Sequence, residues 1–254
     1  MNVKTMTVIK ACALSWLLAL AACGGGGSGG GGTASVASAE GLWTGSTSTS
    51  RSVTGIVLDN GTYWVLFSVP HLSAAIAGFV QGTGNSLNGS FSSSDAVDFN
   101  LAGQGVNNAT VVANYVVKQS FNGSVNYPNL SPSFTFTSSY NADYEQTPSR
   151  SAIAGSYTGI ASAAGSNELT TIVVSSLGVV VGTGTGGCQF LGTAVPRAKG
   201  NLYDLAVVFG GGVCANGTSA VTGIGYFDSS VKSLYLAALD NSRSKGLSFV
   251  GIKP

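Results

Sequence analysis

The chain has 254 residues, of which 44% are hydrophobic and only 8% charged, with a formal net charge of +1. Ordinary soluble domains carry about 25% charged residues; here 37 glycines, with serine, threonine and asparagine, take their place. That balance excludes the basic stripe needed for nucleic acid and a polybasic patch for an anionic bilayer, and its apolar content is too high for disorder.

The first element is a leader. Lys4 and Lys10 give a positive start, and residues 11–22 form an apolar run ending in small side chains, the layout of a secretory signal. The run falls short of the roughly 20 residues that span a bilayer. Leu20-Ala21-Ala22-Cys23 closes it and resembles a bacterial lipobox, where a prolipoprotein is lipidated on cysteine and cut just before it. The resemblance implies a lipid on Cys23 and removal of residues 1–22. Gly24 follows, rather than the aspartate that resembles an inner-membrane retention signal, so the expected address is the outer membrane.

Residues 24–32 read GGGGSGGGG and small residues continue towards Glu40. Such a stretch has no face to bury and acts as a flexible tether, with a root-mean-square reach of about 23 Å over 24–40.

Beyond it the pattern is β nearly throughout. Asp59-Asn60-Gly61 between apolar runs at 53–58 and 62–67 is a strong hairpin signal. Further strands are expected at 110–117, 133–137, 179–182, 189–193, 202–209, 221–227, 233–239 and 246–251. The last three form an antiparallel meander, with Asp228-Ser229-Ser230 and Asp240-Asn241-Ser242-Arg243 as turns. Helical spacing is confined to 73–77, too short to count. Gly41-Leu42-Trp43-Thr44-Gly45 matches Gly155-Ser156-Tyr157-Thr158-Gly159, a sign of two related units. The expected fold is all-β, with two antiparallel β units in tandem, each a sandwich or small barrel. Residues 1–22 are then the signal peptide, 23–40 the lipidated cysteine and tether, 41–140 β domain 1, 141–152 a linker and 153–254 β domain 2.

Cys188 and Cys214 remain as a lone pair in an exported chain, and an oxidising compartment lets such a pair persist as a disulfide. Segments 189–193 and 202–209, if antiparallel, bring them together; closing that loop is worth roughly 3 kcal/mol in the chain-entropy model.

Catalytic signals are sparse. His71 is the only histidine, in a Val69-Pro70-His71-Leu72 loop, and no GxSxG elbow accompanies it. Asp143 and Glu145, if on a strand, would share a face, but they fall in the linker. Asp95, Asp98 and Asn100 form a scattered oxygen cluster without EF-hand spacing. The sequons starting at Asn60, Asn88, Asn108, Asn122 and Asn216 read as turn asparagines. The run 182–187, Gly-Thr-Gly-Thr-Gly-Gly, lacks the GK[ST] ending of a phosphate loop. No catalytic residue, metal ligand or cofactor is expected.

Gly41-Leu42-Trp43 resembles the G-x-W opening of lipocalins, with Gly155-Ser156-Tyr157 a weaker copy. The resemblance implies that the aromatic closes a barrel floor against a late arginine, for which Arg243 is available to the second unit. More broadly the chain is similar to proteobacterial surface lipoproteins with a Gly-rich tether, which implies surface location and no particular activity. The expected function is an outer-membrane-anchored, non-catalytic binding or structural module, or alternatively a calycin-like carrier of a small apolar ligand. An enzyme is the third reading. The partners expected are the membrane, through the anchor, and a protein or small-molecule ligand; nucleic acid is not among them.

Overall fold

Short runs of β-branched and aromatic residues, alternating with serine, threonine and glycine, leave the backbone little choice but strands joined by tight turns. The computed structural model describes residues 37–101, 103–128, 133–163 and 165–254; the leader, the lipobox and most of the tether lie outside them. The strands are β1 (Gly41–Thr47), β2 (Ser52–Val57), β3 (Thr62–Val69), β4 (Leu72–Thr83), β5 (Asn85–Leu87), β6 (Ser90–Asn100), β7 (Gly105–Val116), β8 (Ser120–Asn126) and β9 (Phe134–Tyr140). A 3₁₀ turn (Ala142–Glu145) and one helical turn, α1 (Arg150–Ile153), lead to β10 (Gly155–Ala163), β11 (Ser166–Val174), β12 (Val179–Gly184), β13 (Gln189–Pro196), β14 (Leu202–Phe209), β15 (Ala220–Asp228), β16 (Ser233–Leu239) and β17 (Gly246–Ile252). Residues 73–77 are strand, inside β4.

Both units are eight-stranded antiparallel barrels. In the first, β9 returns to β1 with Trp43 opposite Tyr140, and β4 pairs with β6 from Gly78–Asn100 to Gln81–Val97. The short β5 prolongs β4 along β6. In the second, β10 to β17 follow one another around the barrel and β17 closes on β10.

The repeated G-x-W/Y-T-G segment has a physical reason in each barrel. Trp43 Nε1 donates to Ala39 O at 2.9 Å, and Tyr157 OH donates to Ile153 O at 2.8 Å. Both acceptors belong to fully buried residues four positions earlier, so each aromatic fastens the incoming chain beneath its barrel. The final glycine allows closure: a Cβ on Gly45 would lie 1.9 Å from Thr137 O, and one on Gly159 1.9 Å from Val250 O.

Three apolar cores result. Trp43, Tyr63, Phe91 and Phe121 help fill barrel 1, and Tyr157, Phe190, Phe209 and Phe249 help fill barrel 2. The third lies between the barrels, where Leu42, Trp64, Phe79 and Phe99 from the outside of barrel 1 meet Leu202, Ile224, Tyr226 and Leu239 from the outside of barrel 2. Phe79 and Phe99 stack with centroids 4.7 Å apart. The linker belongs to this core: Tyr144 is buried in it and donates to Glu40 Oε1 at 2.9 Å, while Tyr226 OH donates to Asp143 Oδ2 at 2.8 Å. Barrels and linker form one compact unit.

One irregularity controls what faces where. Between Ser93 and Ala96 the β6–β7 register shifts, a bulge formed by Ser94 and Asp95. Before it the odd positions, such as Phe91, point into barrel 1. After it the even ones do, beginning with Ala96, and Val97, Phe99 and Leu101 turn outward to the third core. A bulge leaves backbone groups unpaired, and here a residue of barrel 2 takes one of them. Arg243 Nη2 donates to Asp95 O at 2.8 Å and to Gln81 O at 2.9 Å. The late arginine thus grips the neighbouring barrel and does not brace a barrel floor. Arg243→Met should therefore orphan two carbonyls and lower stability by about 2 kcal/mol, read by urea unfolding. An unchanged midpoint would show that the grip is idle.

Candidate functional site

Neither barrel interior offers room for a ligand. The cavity in barrel 1 is about 40 Å³ and ringed by Trp43, Tyr63, Phe67, Phe91 and Phe121; that in barrel 2 is about 60 Å³. Ligand pockets usually run from about 300 to 1,000 Å³. Space of that order opens instead at the mouth of barrel 1, in a cleft of about 550 Å³ where the β1–β2, β6–β7 and β8–β9 ends converge.

Each element supplies the cleft for a local reason. Thr47 ends β1, and its Oγ1 accepts from the backbone N–H groups of Thr49 (3.3 Å) and Arg51 (3.2 Å), tying the turn into a compact loop. Arg51 donates through Nη1 to Ser68 O at 2.7 Å, with its guanidinium 5.4 Å above the Phe67 ring. The bulge in β6 aims Asp98 and Asn100 at the barrel mouth. Asn100 donates to Gln104 Oε1 and Asn107 to Gln104 O, both at 3.2 Å. Phe134 and Tyr127, ring centroids 6.0 Å apart, complete the wall.

Asp98 is the unusual group. It is 5% exposed, its Oδ2 accepts from Tyr127 OH at 2.6 Å, and its Oδ1 has no hydrogen-bond partner among the described residues. Burial pushes its pKa up to about 6, against the pull of the Tyr127 hydrogen bond and the Arg51 charge. Buried carboxylates are normally satisfied, so a half-satisfied one lining a cleft singles Asp98 out as a candidate functional group.

The other residues singled out by sequence lie apart. Asp95, in the bulge, accepts from Thr83 N and Ser93 Oγ, both at 2.9 Å; burial raises its pKa, but these bonds and Arg243 bring it below the usual value. Asp95 thus shapes the strand, and Asp98 and Asn100 alone of that trio line the cleft. Asp143 and Glu145 sit on a 3₁₀ turn, not a strand. They diverge: Asp143 takes Tyr226, while Glu145 takes Tyr140 and pairs with Lys118 at 2.8 Å. His71 is exposed in the β3–β4 turn at φ 61° and does not line the cleft. Residues 182–184 finish β12 and 185–187 form the following turn. Asn60 Oδ1 accepts from Thr62 N at 3.0 Å, and Asn88 adopts φ 50° in the β5–β6 turn. Cys188 and Cys214 are bonded, Cα atoms 4.6 Å apart, with β13 and β14 antiparallel. The bond ties the β14–β15 loop to the mouth of barrel 2, where Cys188, Val213, Ala215 and Asn216 crowd the opening. Cys23 lies outside the described residues.

Arg51, Gln104, Asn107, Tyr127 and Phe134 carry no sequence signal as a set. They are scattered over three connections and converge only once the barrel closes.

The chain matches no protein-family model and no curated protein sequence. Among solved structures it is similar to transferrin binding protein B from Neisseria meningitidis serogroup B, at 11% identity and a TM-score of 0.32, over 81% of this chain and 58% of that one. A double mutant of transferrin binding protein B from Haemophilus parasuis Hp5 matches at 8% identity and a TM-score of 0.28, over 80% of this chain and 65% of that one. The chain thus spans less than two thirds of either protein, and likeness at this level carries no argument about it.

The Asp98 environment has a measurable consequence. Its folded pKa of about 6 lies above the reference value of 3.8, so the folded state holds the proton more tightly. Its contribution to stability is therefore present below about pH 4 and is lost as pH rises through 6, by up to about 3 kcal/mol. Asp98→Asn should remove that loss. In paired urea titrations the variant should gain on the wild type steadily between pH 4 and pH 7 and hold a constant lead above; a pH-independent difference would contradict this environment.

Proposed function

We propose that this protein is an exported, lipid-anchored, non-catalytic binding module of the outer membrane that captures its ligand in the polar cleft at the mouth of barrel 1. The observation that carries the reading is Asp98: a buried carboxylate with one oxygen unpartnered, beside a 550 Å³ cleft, in a barrel whose interior is otherwise full. The filled interiors weigh against a calycin-like carrier, since an apolar guest needs a dry cavity of its own. Catalysis is disfavoured on chemical grounds. Asp98 and Arg51 are the cleft's charged side chains, the Tyr127 hydroxyl is spent on Asp98, and neither threonine there has a base within hydrogen-bond reach to activate it.

The anchor reading rests on the lipobox at Leu20–Cys23, with the following tether holding the barrels clear of the headgroups. Cys23→Ser should abolish palmitate labelling and release the protein from the membrane fraction, because attachment by acyl chains is worth about 0.8 kcal/mol per buried CH₂. A variant still labelled and membrane-bound would refute it. For the site, native mass spectrometry of protein taken from its own cells should show a retained ligand in the wild type that is missing from Asp98→Asn; retention by both would place binding elsewhere.

A further inference from the structure

We propose that Asn88 is a modification site: the Asn88–Gly89 pair in the β5–β6 turn closes to an imide and reopens as aspartate or isoaspartate. The isoaspartate product loosens the seat of the chain entering barrel 1. The reaction is intramolecular. The Gly89 nitrogen attacks Cγ of Asn88 and gives up its proton as the carbon–nitrogen bond forms, and the side-chain nitrogen leaves as ammonia. Water then adds to one of the two imide carbonyls. One opening restores the main chain and leaves an aspartate; the other routes the main chain through the side chain as isoaspartate. Glycine in second place makes the approach easy, because no Cβ stands in the way. The proposal is independent of the barrel 1 cleft.

The sequence holds four such pairs, Asn60–Gly61, Asn88–Gly89, Asn122–Gly123 and Asn216–Gly217, and the structure separates them. Asn216 is 2% exposed, and Gly217 N donates to Cys214 O at 2.8 Å. Asn122 lies within β8, where its Oδ1 accepts from Ser138 N at 3.0 Å and Gly123 stands opposite Ala113 and Phe136. Asn60 Oδ1 accepts from Thr62 N, and Gly61 N donates to Leu58 O at 3.0 Å. In these three the amide to be attacked, or the nitrogen that must attack it, is held. Asn88 is exposed, and among the described residues no hydrogen bond holds its side chain or Gly89 N. Its backbone is also one step from a reactive shape. Asn88 and Gly89 have φ 50° and 82° and join Leu87 to Ser90, as in a two-residue I′ turn. Flipping the single peptide plane between them leads to the II′ turn, in which the first residue keeps its φ and reverses the sign of ψ. That flip swings Gly89 N toward Cγ.

The turn stands beside the point where the chain enters the barrel. Ser86 Oγ in β5 accepts from Ala39 N at 3.1 Å. Gly89 O accepts from Tyr115 N at 2.7 Å, and Tyr115 OH donates to Ala37 O at 2.5 Å. Among the described strands β5, three residues long, pairs with β6 alone. Isoaspartate inserts Cβ into the main chain, so the turn no longer joins Leu87 to Ser90 in register, and so short a strand has little else to keep it in place. Ser86 then withdraws from Ala39. Aspartate leaves the main-chain length unchanged and adds only a surface charge.

The test ages purified full-length protein in detergent at physiological temperature, at neutral and at mildly alkaline pH, with a urea-denatured sample alongside. Chymotryptic peptides, fragmented so that aspartate and isoaspartate are told apart, report each pair, and hydrogen exchange reports the peptides covering Ala39. In the folded protein Asn88 should convert at least about fivefold faster than any other pair, the factor imposed by one hydrogen bond that must first break. Conversion should quicken at the higher pH, because the attacking nitrogen must lose its proton. In urea the four pairs should convert at similar rates. Aged protein should exchange at Ala39 faster than fresh protein, whereas Asn88→Asp, which carries the charge without the inserted carbon, should not. If Asn88 stays intact, if another pair in the folded protein keeps pace with it, or if its lead is as large in urea, the site assignment is overturned. If isoaspartate forms at Asn88 and exchange at Ala39 is unchanged, or if Asn88→Asp raises it equally, the loosening is overturned.

Discussion

The bulge at Ser94 and Asp95 is the constraint on which both the association of the barrels and the cleft depend. A strand alternates its side chains strictly, so one inserted residue exchanges the two faces of everything after it. Before the insertion β6 supplies Phe91 to the inside of barrel 1. Beyond it, Val97, Phe99 and Leu101 reach the neighbouring barrel while Asp98 and Asn100 reach the mouth. In perfect alternation Val97 and Phe99 would crowd a barrel already full of aromatics, and Asp98 would be pressed into an apolar interface. The bulge is held locally by Asp95 and from across the interface by Arg243. Barrel packing and cleft geometry are therefore coupled through one stretch of strand.

The two barrels treat the corresponding end differently. In barrel 2 the β14–β15 loop is long and is drawn over the mouth by the Cys188–Cys214 bond. In barrel 1 the equivalent connection, between β6 and β7, is shorter, and among the described residues Asn100, Gln104 and Asn107 line the cleft at that end. The oxidised loop stabilises one unit by roughly 3 kcal/mol, while the other carries the half-satisfied carboxylate. Such a division suits a protein in which one barrel presents a site and the other braces it, and the shared third core transmits that support.

Much of this architecture is legible in the sequence because its signals are local. Asn60-Gly61 specifies a hairpin, Asp228 and Asp240 specify turns, and the G-x-W/Y-T-G pair marks where each barrel begins. Cys188 and Cys214 are the two cysteines beyond position 40, and their number points to the bond. The bulge gives no such signal: Ser92-Ser93-Ser94-Asp95 has no apolar contrast from which register could be read. Nor does the third core, since strands such as β4 and β16, buried on both faces, lose the alternation that marks an exposed sheet. At 73–77, the exposed end of β4, the false hint of helix has another cause: an alanine-rich run with little β-branched alternation. The cleft residues are invisible for another reason. Asp98 is distinguished by what its Oδ1 lacks, and an absent partner is a property of the closed barrel alone.

The scarcity of charge takes on meaning once the charges are located. Glu40, Asp143 and Glu145 accept from tyrosines around the linker; Arg197 joins Asp59 to Asp204, and Arg243 holds the bulge. Asp228 and Asp240 cap turns. In this chain charges are fasteners, and contact with water is left to serine, threonine and asparagine. Asp98 differs from these in being a buried carboxylate with one oxygen unpartnered, which costs stability at neutral pH. A strand that already places Val97 and Phe99 correctly could carry asparagine or threonine at position 98 and avoid that cost. A carboxylate there is intelligible if the cleft it lines is kept for function, where groups costly to folding collect.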